Sequence, residues 1–428
     1  MQRLIPALAT DHVHHSAQIV CLSIIALWVA QAALAAFQTY RQSRQFRFKV
    51  RRLREAYRPH VTIIMPIKGV DVDLPGCVRG LCTQEYPDYD VVIVVESQDD
   101  PAYSILQAEL AQYRRHHPRV LIAGRAGPDV GQKVHNHLHA IDALAPAADD
   151  EDVWVFADSD AIPGPRWLVD LVSMLVGRHK YGVTTGYRWL VPDERRPAAF
   201  ASRLASVINA SIACTYRRGG TDQAWGGAMA MRVEIARKGE LRKRLTGALT
   251  DDYPVTRMCR DLGLRVRFIQ RCLAATPVDF TFRSFFSFGR RQYLITRVYS
   301  PGLYAAALAI ITFWCAGFLT AWTHFLINLL VAPAAGWWRW SAGAIVAVFL
   351  LNQLRASLRT RIVRVAFGDA MVRRLRATQR VDRWLTPVWM FVHAAVIWSA
   401  LLGRRFIWRG IRYRLDGPQK VRRLDAPP

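Results

Sequence analysis

Acidic residues are scarce in this chain: 33 Asp and Glu stand against 58 Lys and Arg, a formal charge of +25 over 428 residues. Such a balance first raises nucleic-acid binding. The excess is localised, however. Residues 38–58, 355–383 and 404–423 hold +21 of the +25, and each adjoins an apolar segment. That is the pattern of the positive-inside rule and of attraction to anionic lipid headgroups, so no nucleic-acid partner is expected. Paired cysteine spacings are absent too. The seven cysteines (Cys21, Cys77, Cys82, Cys214, Cys259, Cys272, Cys315) are odd in number and form no CxxC or zinc pattern, which reads as reduced cytoplasmic thiols. No GxGxxG or GxxxxGK[ST] follows the first predicted strand, which weighs against dinucleotide and P-loop chemistry. Residues 59–300 contain no run long enough to span a bilayer.

Apolar runs lie on either side of that stretch. Ile19–Phe37 is near spanning length. Only Arg3 precedes it and a dense basic run follows, which favours a retained anchor over a cleaved signal peptide and puts the following residues in the cytoplasm. After Pro301, Leu303–Val331 is long enough to cross with tilt or to bend near Thr323–His324, and Ser341–Leu354 is a short candidate that Trp337, Trp338 and Trp340 can extend. Leu385–Leu402 is a third candidate. Three full crossings cannot leave both 355–383 and 404–423 in the cytoplasm, so Leu385–Leu402 is expected not to be a simple span. The expected organisation is an anchor (1–40), a cytoplasmic catalytic domain (41–278), an interfacial helix (279–300), membrane segments (301–403) and a basic cytoplasmic tail (404–428). The expected location is the inner membrane of a bacterial-type cell.

The segment VWVFADSDA (153–161) is the most informative stretch. A buried apolar strand stops on Asp158, Ser159 and Asp160, and carboxylates so placed suit a hard divalent cation with a phosphate ligand. The competing reading is a helix N-cap. Strands at 61–67, 89–97 and 119–124 alternate with helical stretches at 74–84 and 132–144. This order predicts an α/β fold with a mostly parallel sheet, binding at the carboxyl ends of the strands. A second acidic pair, Asp251 and Asp252, opens another helical stretch. Two acidic clusters on such a sheet match an inverting sugar transfer: a metal neutralises a leaving diphosphate and a carboxylate takes the acceptor's proton. Residues 279–300 mix five Phe and two Tyr with four Arg, which reads as a helix at the membrane surface with its arginines in water.

The chain resembles the family 2-type membrane glycosyltransferases of GT-A fold, in particular the ceramide glucosyltransferase branch. The residues carrying the resemblance are VTIIMPIKGVD (61–71), VVESQDDPAY (94–103), GQKVHN (131–136), FADSDA (156–161), WGGAMAMR (225–232), LTDDY (249–253) and RRQY (290–293). The resemblance implies that Pro66, Lys68, Glu96 and Asp100 line a uridine pocket. It places Lys133 and Asn136 near the nucleotide, Asp158 on ribose or sugar, and Asp160 on Mg²⁺ or Mn²⁺, with Asp158 as a second candidate ligand. Trp225, Gly226 and Gly227 would form a loop beside donor and acceptor, the glycines letting backbone approach a ligand. Asp252 matches the base, Asp251 stands where the family often has Glu, and Arg290 or Arg291 would clamp the diphosphate. The tryptophan that related enzymes carry after the last arginine is missing here. The implied reaction moves a hexose, glucose the expected one, from a UDP-sugar to the hydroxyl of a membrane lipid such as ceramide. A hopanoid polyol or a diacylglycerol is an alternative acceptor, and a processive polysaccharide synthase is an alternative activity that the missing tryptophan disfavours.

Overall fold

The structure is a computed structural model; it describes residues 4–45, 58–113, 118–175, 180–193, 200–216 and 223–425. Of the basic stretch 38–58, residues 46–57 therefore lie outside the described residues. The chain divides into two compact units, residues 1–43 with 304–398 and residues 44–303 with 399–428.

The larger unit is built on a seven-stranded sheet. Its strands are β1 (Val61–Pro66), β2 (Tyr89–Val95), β3 (Arg119–Ile122), β4 (Val153–Ala157), β5 (Tyr181–Pro192), β6 (Ala228–Arg232) and β7 (Arg265–Val278), in the order β3-β2-β1-β4-β6-β5-β7. β1 pairs in parallel with both β2 and β4, so the order reverses beside β1 and opens a crevice at the carboxyl ends of β1 and β4. β6 alone runs antiparallel to its neighbours, and β5 and β7 are parallel. The sheet is buried on both faces. Ile63 and Met65 pack with Leu74, Val78 and Leu168 on one side; Ile64, Val92 and Phe156 pack with Val134 and Ile141 on the other. This period-2 division of a continuous apolar strand is what a sheet covered on both sides requires. The expected α/β class and mostly parallel sheet are thus present.

Within the expected tail, residues 405–423 fold into an antiparallel sheet of β8 (Arg405–Trp408), β9 (Ile411–Gly417) and β10 (Lys420–Arg423). Period-2 alternation explains it: Ile411, Tyr413 and Leu415 are buried while Arg412 and Arg414 between them are exposed. The sheet is fastened to the rest of the unit. Arg423 N donates to Pro128 O (2.6 Å), and Gln419 Nε2 donates to Lys243 O and Thr246 O (2.9 Å each).

The smaller unit is helical. Three helices, His15–Gln45, Pro301–Val331 and Trp338–Arg374, are long and apolar enough to cross a membrane. The last is interrupted at Gly368, whose φ of 83° breaks the helical path. Thr386–Ser399 has only 14 residues, about 21 Å at 1.5 Å per residue and short of a ~30 Å hydrocarbon core. Gly317 lets the first two helices meet, since a Cβ there would sit 2.6 Å from the Trp28 side chain. One polar cluster links these helices: Gln18 Nε2 donates to Asn328 Oδ1 (3.0 Å), and His324 bonds both Gln18 and the Ser341 hydroxyl.

Candidate active site

The site lies at the carboxyl ends of β1 and β4, in a cavity of about 460 Å³ lined entirely by the larger unit. β4 ends at Ala157 and Asp158–Asp160 turn away from it. The next helix begins only at Trp167, with Arg166 at its N-cap, so Asp160 caps nothing. Its Oδ1 is instead buried without a hydrogen-bond partner. Burial, then the neighbouring charges of Asp158 and Asp71, push its pKa up to about 6. An unpaired carboxylate held this way is poised for a cation.

Lys133 organises the rear wall. It stands in the first turn of the helix Gln132–Leu144, whose N-cap is Gly131. A Cβ at Gly131 would lie 2.9 Å from Leu249 O, so glycine permits the close approach of the 248–252 segment. Lys133 Nζ thereby reaches Asp158 Oδ1 (2.7 Å) and Asp251 Oδ1 (2.9 Å). Burial alone would lower its pKa, but the two carboxylates outweigh burial and hold it above the ordinary lysine range. Asp251 is fully buried; burial would raise its pKa, yet Lys133 and His137 together hold it well below the usual carboxylate range. His137 Nε2 lies 3.3 Å from Asp251, and burial lowers its own pKa.

Asp252 differs from its neighbour in every respect. It opens the helix Asp252–Asp261, lines the cavity, and accepts from Thr250 Oγ1 (2.7 Å) and Tyr253 N (2.8 Å). Burial, then the charge of Asp251, raises its pKa to about 6. The helix Phe282–Tyr299 braces this segment: Tyr253 and Thr296 share a hydroxyl hydrogen bond (2.8 Å), and Tyr299 Oη accepts from Leu249 N (2.9 Å).

The structure sorts the expected site residues. Pro66, Lys68, Lys133, Asn136, Asp158, Asp160, Trp225, Gly226, Asp252 and Arg291 line the cavity; Glu96, Asp100, Gly227, Asp251 and Arg290 do not. Asp100 caps the helix Pro101–Leu110 and accepts from Gly69 N (2.9 Å), shaping the loop after β1. Glu96 acts through Lys68, which it meets at 2.5 Å. Asn136 donates to Val94 O (3.0 Å) and ties its helix to the sheet. The glycines after Trp225 have packing reasons: a Cβ at Gly226 would stand 2.4 Å from the Asp251 carboxylate, and one at Gly227 2.2 Å from the Trp225 ring. Arg290 donates to the carbonyls of Ser399, Leu402 and Arg405, and Arg297 to those of Leu401 and Gly403. The arginines of this helix are therefore not simply in water as expected; two of them cap the 399–405 turn.

Arg291 is different again. It lines the cavity with its guanidinium stacked between Phe288 (5.4 Å) and Trp408 (5.0 Å). A tryptophan thus does lie against this arginine, supplied by β8 rather than by the next residue. Burial, then Arg188 and Arg409, lowers the Arg291 pKa to about 9. Arg188, Trp408, Arg409 and Tyr413 are lining residues that sequence reasoning missed. Asp71, which closes the VTIIMPIKGVD segment, lines the cavity, pairs with Arg409 and accepts from Ser159 Oγ (2.6 Å).

The donor set fits a divalent cation that arrives with phosphate. Among the described residues no group of three or more His, Cys, Asp or Glu is arranged to hold a metal alone. One free carboxylate oxygen on Asp160, with Asp158 already engaged by Lys133, suits an ion whose remaining ligands are phosphate oxygens and water.

Comparison with known proteins gives a family match and several more distant similarities. The family described as Glycosyl transferase family 21 matches residues 23–421. A ceramide glucosyltransferase of Komagataella phaffii is 35% identical over 69 residues, covering 16% of this chain and 14% of that protein. Ceramide glucosyltransferase 3 of Caenorhabditis elegans is 24% identical over 143 residues, covering 33% and 30%. The matches therefore span less than a third of these relatives' length. Among solved structures, a mannosyltransferase from Pyrobaculum calidifontis in complex with GDP-Man and Mn²⁺ is similar with a TM-score of 0.47 and 18% identity, over 86% of this chain and 99% of that one. Glucosyl-3-phosphoglycerate synthase from Mycobacterium tuberculosis with Mn²⁺ and UDP-glucose follows at 0.34 and 13%, over 56% and 79%.

Proposed function

The chain belongs to glycosyl transferase family 21, and on that footing we propose that it transfers one hexose, glucose the expected one, from a UDP-sugar to a hydroxyl of a membrane lipid such as ceramide. The observation that carries this reading is the convergence of Asp158, Asp160, Asp252 and Arg291 on one cavity at the switch point of the sheet.

Asp252 is the base. Its raised pKa of about 6 leaves it ionised near neutrality yet basic enough to accept a proton from the acceptor hydroxyl. The acceptor oxygen bonds to the anomeric carbon as the bond to the diphosphate breaks, with inversion. Asp160 and Asp158 would hold Mg²⁺ or Mn²⁺, which when bound neutralises the departing diphosphate. Arg291 supplies a desolvated guanidinium for the same charge. Lys133 fixes Asp158 and Asp251 and so holds the two acidic segments in register. Asp251 is a positioning residue and Arg290 a structural one.

A lipid acceptor is supported by the three helices of spanning length and by the helix Phe282–Tyr299, which exposes Phe282 and Phe286 immediately before the second of them. Topology agrees. The chain leaves the catalytic unit at residue 303 and rejoins it at residue 399, so an even number of crossings lies between. Pro301–Val331 and Trp338–Arg374 would provide two, and the 14-residue helix is too short to add a third. With the basic flanks inside, the catalytic unit is cytoplasmic. The test is UDP release by the purified full chain, given ceramide and a panel of UDP-sugars with Mn²⁺. Release that requires both lipid and cation supports the reading; release without lipid, or none with any donor, refutes it.

A further inference from the structure

The C-terminal hairpin brings a residue into the cavity that neither the family motifs nor the sequence pattern single out. β8 and β9 pair Trp408 with Ile411, so the turn between them is two residues, Arg409 and Gly410. Their φ angles are 50° and 78°, both left-handed, as the type I′ hairpin turn demands. Gly410 suits its place. Arg409 does not: Asn, Asp or Gly is favoured there, and an arginine carries a backbone cost. A long cation is thus held where the backbone disfavours it, and its side chain points into the cavity.

Its surroundings indicate what it meets there. Arg409 pairs with Asp71, which accepts a hydrogen bond from Ser159, the residue between Asp158 and Asp160. Arg188 and Arg291 line the same cavity, and Arg188 and Arg409 both lie near enough to Arg291 to disfavour its charge. Arg188 Nε is buried without a hydrogen-bond partner. Arg188, Arg291 and Arg409 line the cavity together with Asp71 and Asp160; with Asp160 and Asp158 taken up by a divalent cation, the guanidiniums would be left to meet an anion with several oxygens. The hairpin is also a rigid mount: Tyr413 Oη accepts from Gln132 N (3.2 Å), one residue before Lys133, and a Cβ at Gly247 would meet Gln419 O at 2.7 Å.

We propose that Arg409 is a substrate-binding residue that contacts the phosphates of the nucleotide donor, with Asp71 as its partner when the donor is absent, so that the C-terminal sheet forms one wall of the donor site. The inference rests on the nucleotide-sugar reading above. Arg409 exchanges one carboxylate for the non-bridging oxygens of a diphosphate, for which its planar fork is suited.

The test measures binding of UDP, of GDP and of uridine to the detergent-purified full chain with Mn²⁺, for the wild type, Arg409→Asn and Arg409→Lys. Asparagine is favoured in the turn, so Arg409→Asn keeps the hairpin. Losing charge-assisted hydrogen bonds should weaken the wild type's preferred diphosphate about 10- to 100-fold, with uridine affinity unchanged. Arg409→Lys should fall between. Diphosphate affinity equal to wild type in Arg409→Asn overturns the assignment and leaves the donor reading standing. Equal weakening for uridine and diphosphate overturns it as well, since the effect would not lie in the phosphates. A wild type that binds neither UDP nor GDP overturns the donor reading and this inference together.

Discussion

Replacing Lys133 by methionine tests the electrostatic frame of the site. Lys133 Nζ stands 2.9 Å from the Asp251 carboxylate, which is fully buried, and its own side chain is 16% exposed. At an effective dielectric of ~20 the gross attraction at that distance is about 6 kcal/mol. Desolvation offsets much of it in the intact pair, but removing one partner strands the other, at about 3–5 kcal/mol. His137 remains 3.3 Å from Asp251 as a neutral hydrogen-bond donor, which puts the loss toward the lower end. The pH dependence has a definite sign. In the wild type Asp251 has a depressed pKa, so its contribution is complete above the unfolded value of ~3.9 and is lost only as pH falls through the folded value. In Lys133→Met burial prevails and the folded pKa rises above the unfolded one. The variant is then least stable at neutral pH and regains stability as pH falls and Asp251 takes a proton. Thermal unfolding of the full chain in detergent should show a lowered Tm at pH 7, a smaller deficit at pH 5, and partial restoration by Asp251→Asn in the Lys133→Met background. A wild-type Tm at pH 7, or a deficit untouched by the second substitution, refutes the account.

Asp252→Asn should reduce turnover by about 10²–10⁴-fold while UDP affinity stays within a few-fold, as steady-state rates and binding titration would show. Because the Asp252 pKa is raised to about 6, protonation removes the base below that value; kcat in a pH–rate profile should fall on the acid side of about pH 6, and a flat profile down to pH 5 would exclude this residue. Gly226→Ala places a methyl 2.4 Å from the Asp251 carboxylate, and the forced shift should cost about 1–3 kcal/mol of stability, read as a lowered Tm. Chelation with EDTA should abolish UDP binding and added Mn²⁺ should restore it; UDP affinity indifferent to EDTA would contradict a cation held by Asp160.

The parallel half of the sheet is legible in the sequence because its signal is local. β1, β2 and β4 are runs of β-branched and aromatic residues that end on polar turns, and the helix Gln132–Leu144 has the bounds its periodicity predicts. β6 is not legible: AMAMR carries no β-branched residue, and its place beside β4 is decided by pairing partners far away in the chain. The C-terminal sheet is hidden for another reason. Its arginines also form a charge run, and the positive-inside reading absorbed a stretch whose alternation of Ile411, Tyr413 and Leu415 with arginines is a strand signal. In the site, residue types were readable and neighbours were not. Arg290 and Arg291 are adjacent in sequence but 100° apart on a helix, so one braces the 399–405 turn while the other enters the cavity. Asp251 and Asp252 divide in the same way at a helix start, one turned into the core and one into the cavity.

The most direct test of the central claim is mass spectrometry of lipids from cells expressing the wild type or Asp252→Asn, with ceramide and a panel of UDP-sugars supplied to the extracts. The account predicts one lipid heavier by a single hexose with the wild type and none with the variant. A polymeric product, the same glycolipid from Asp252→Asn, or no new glycolipid from folded wild-type protein would contradict it.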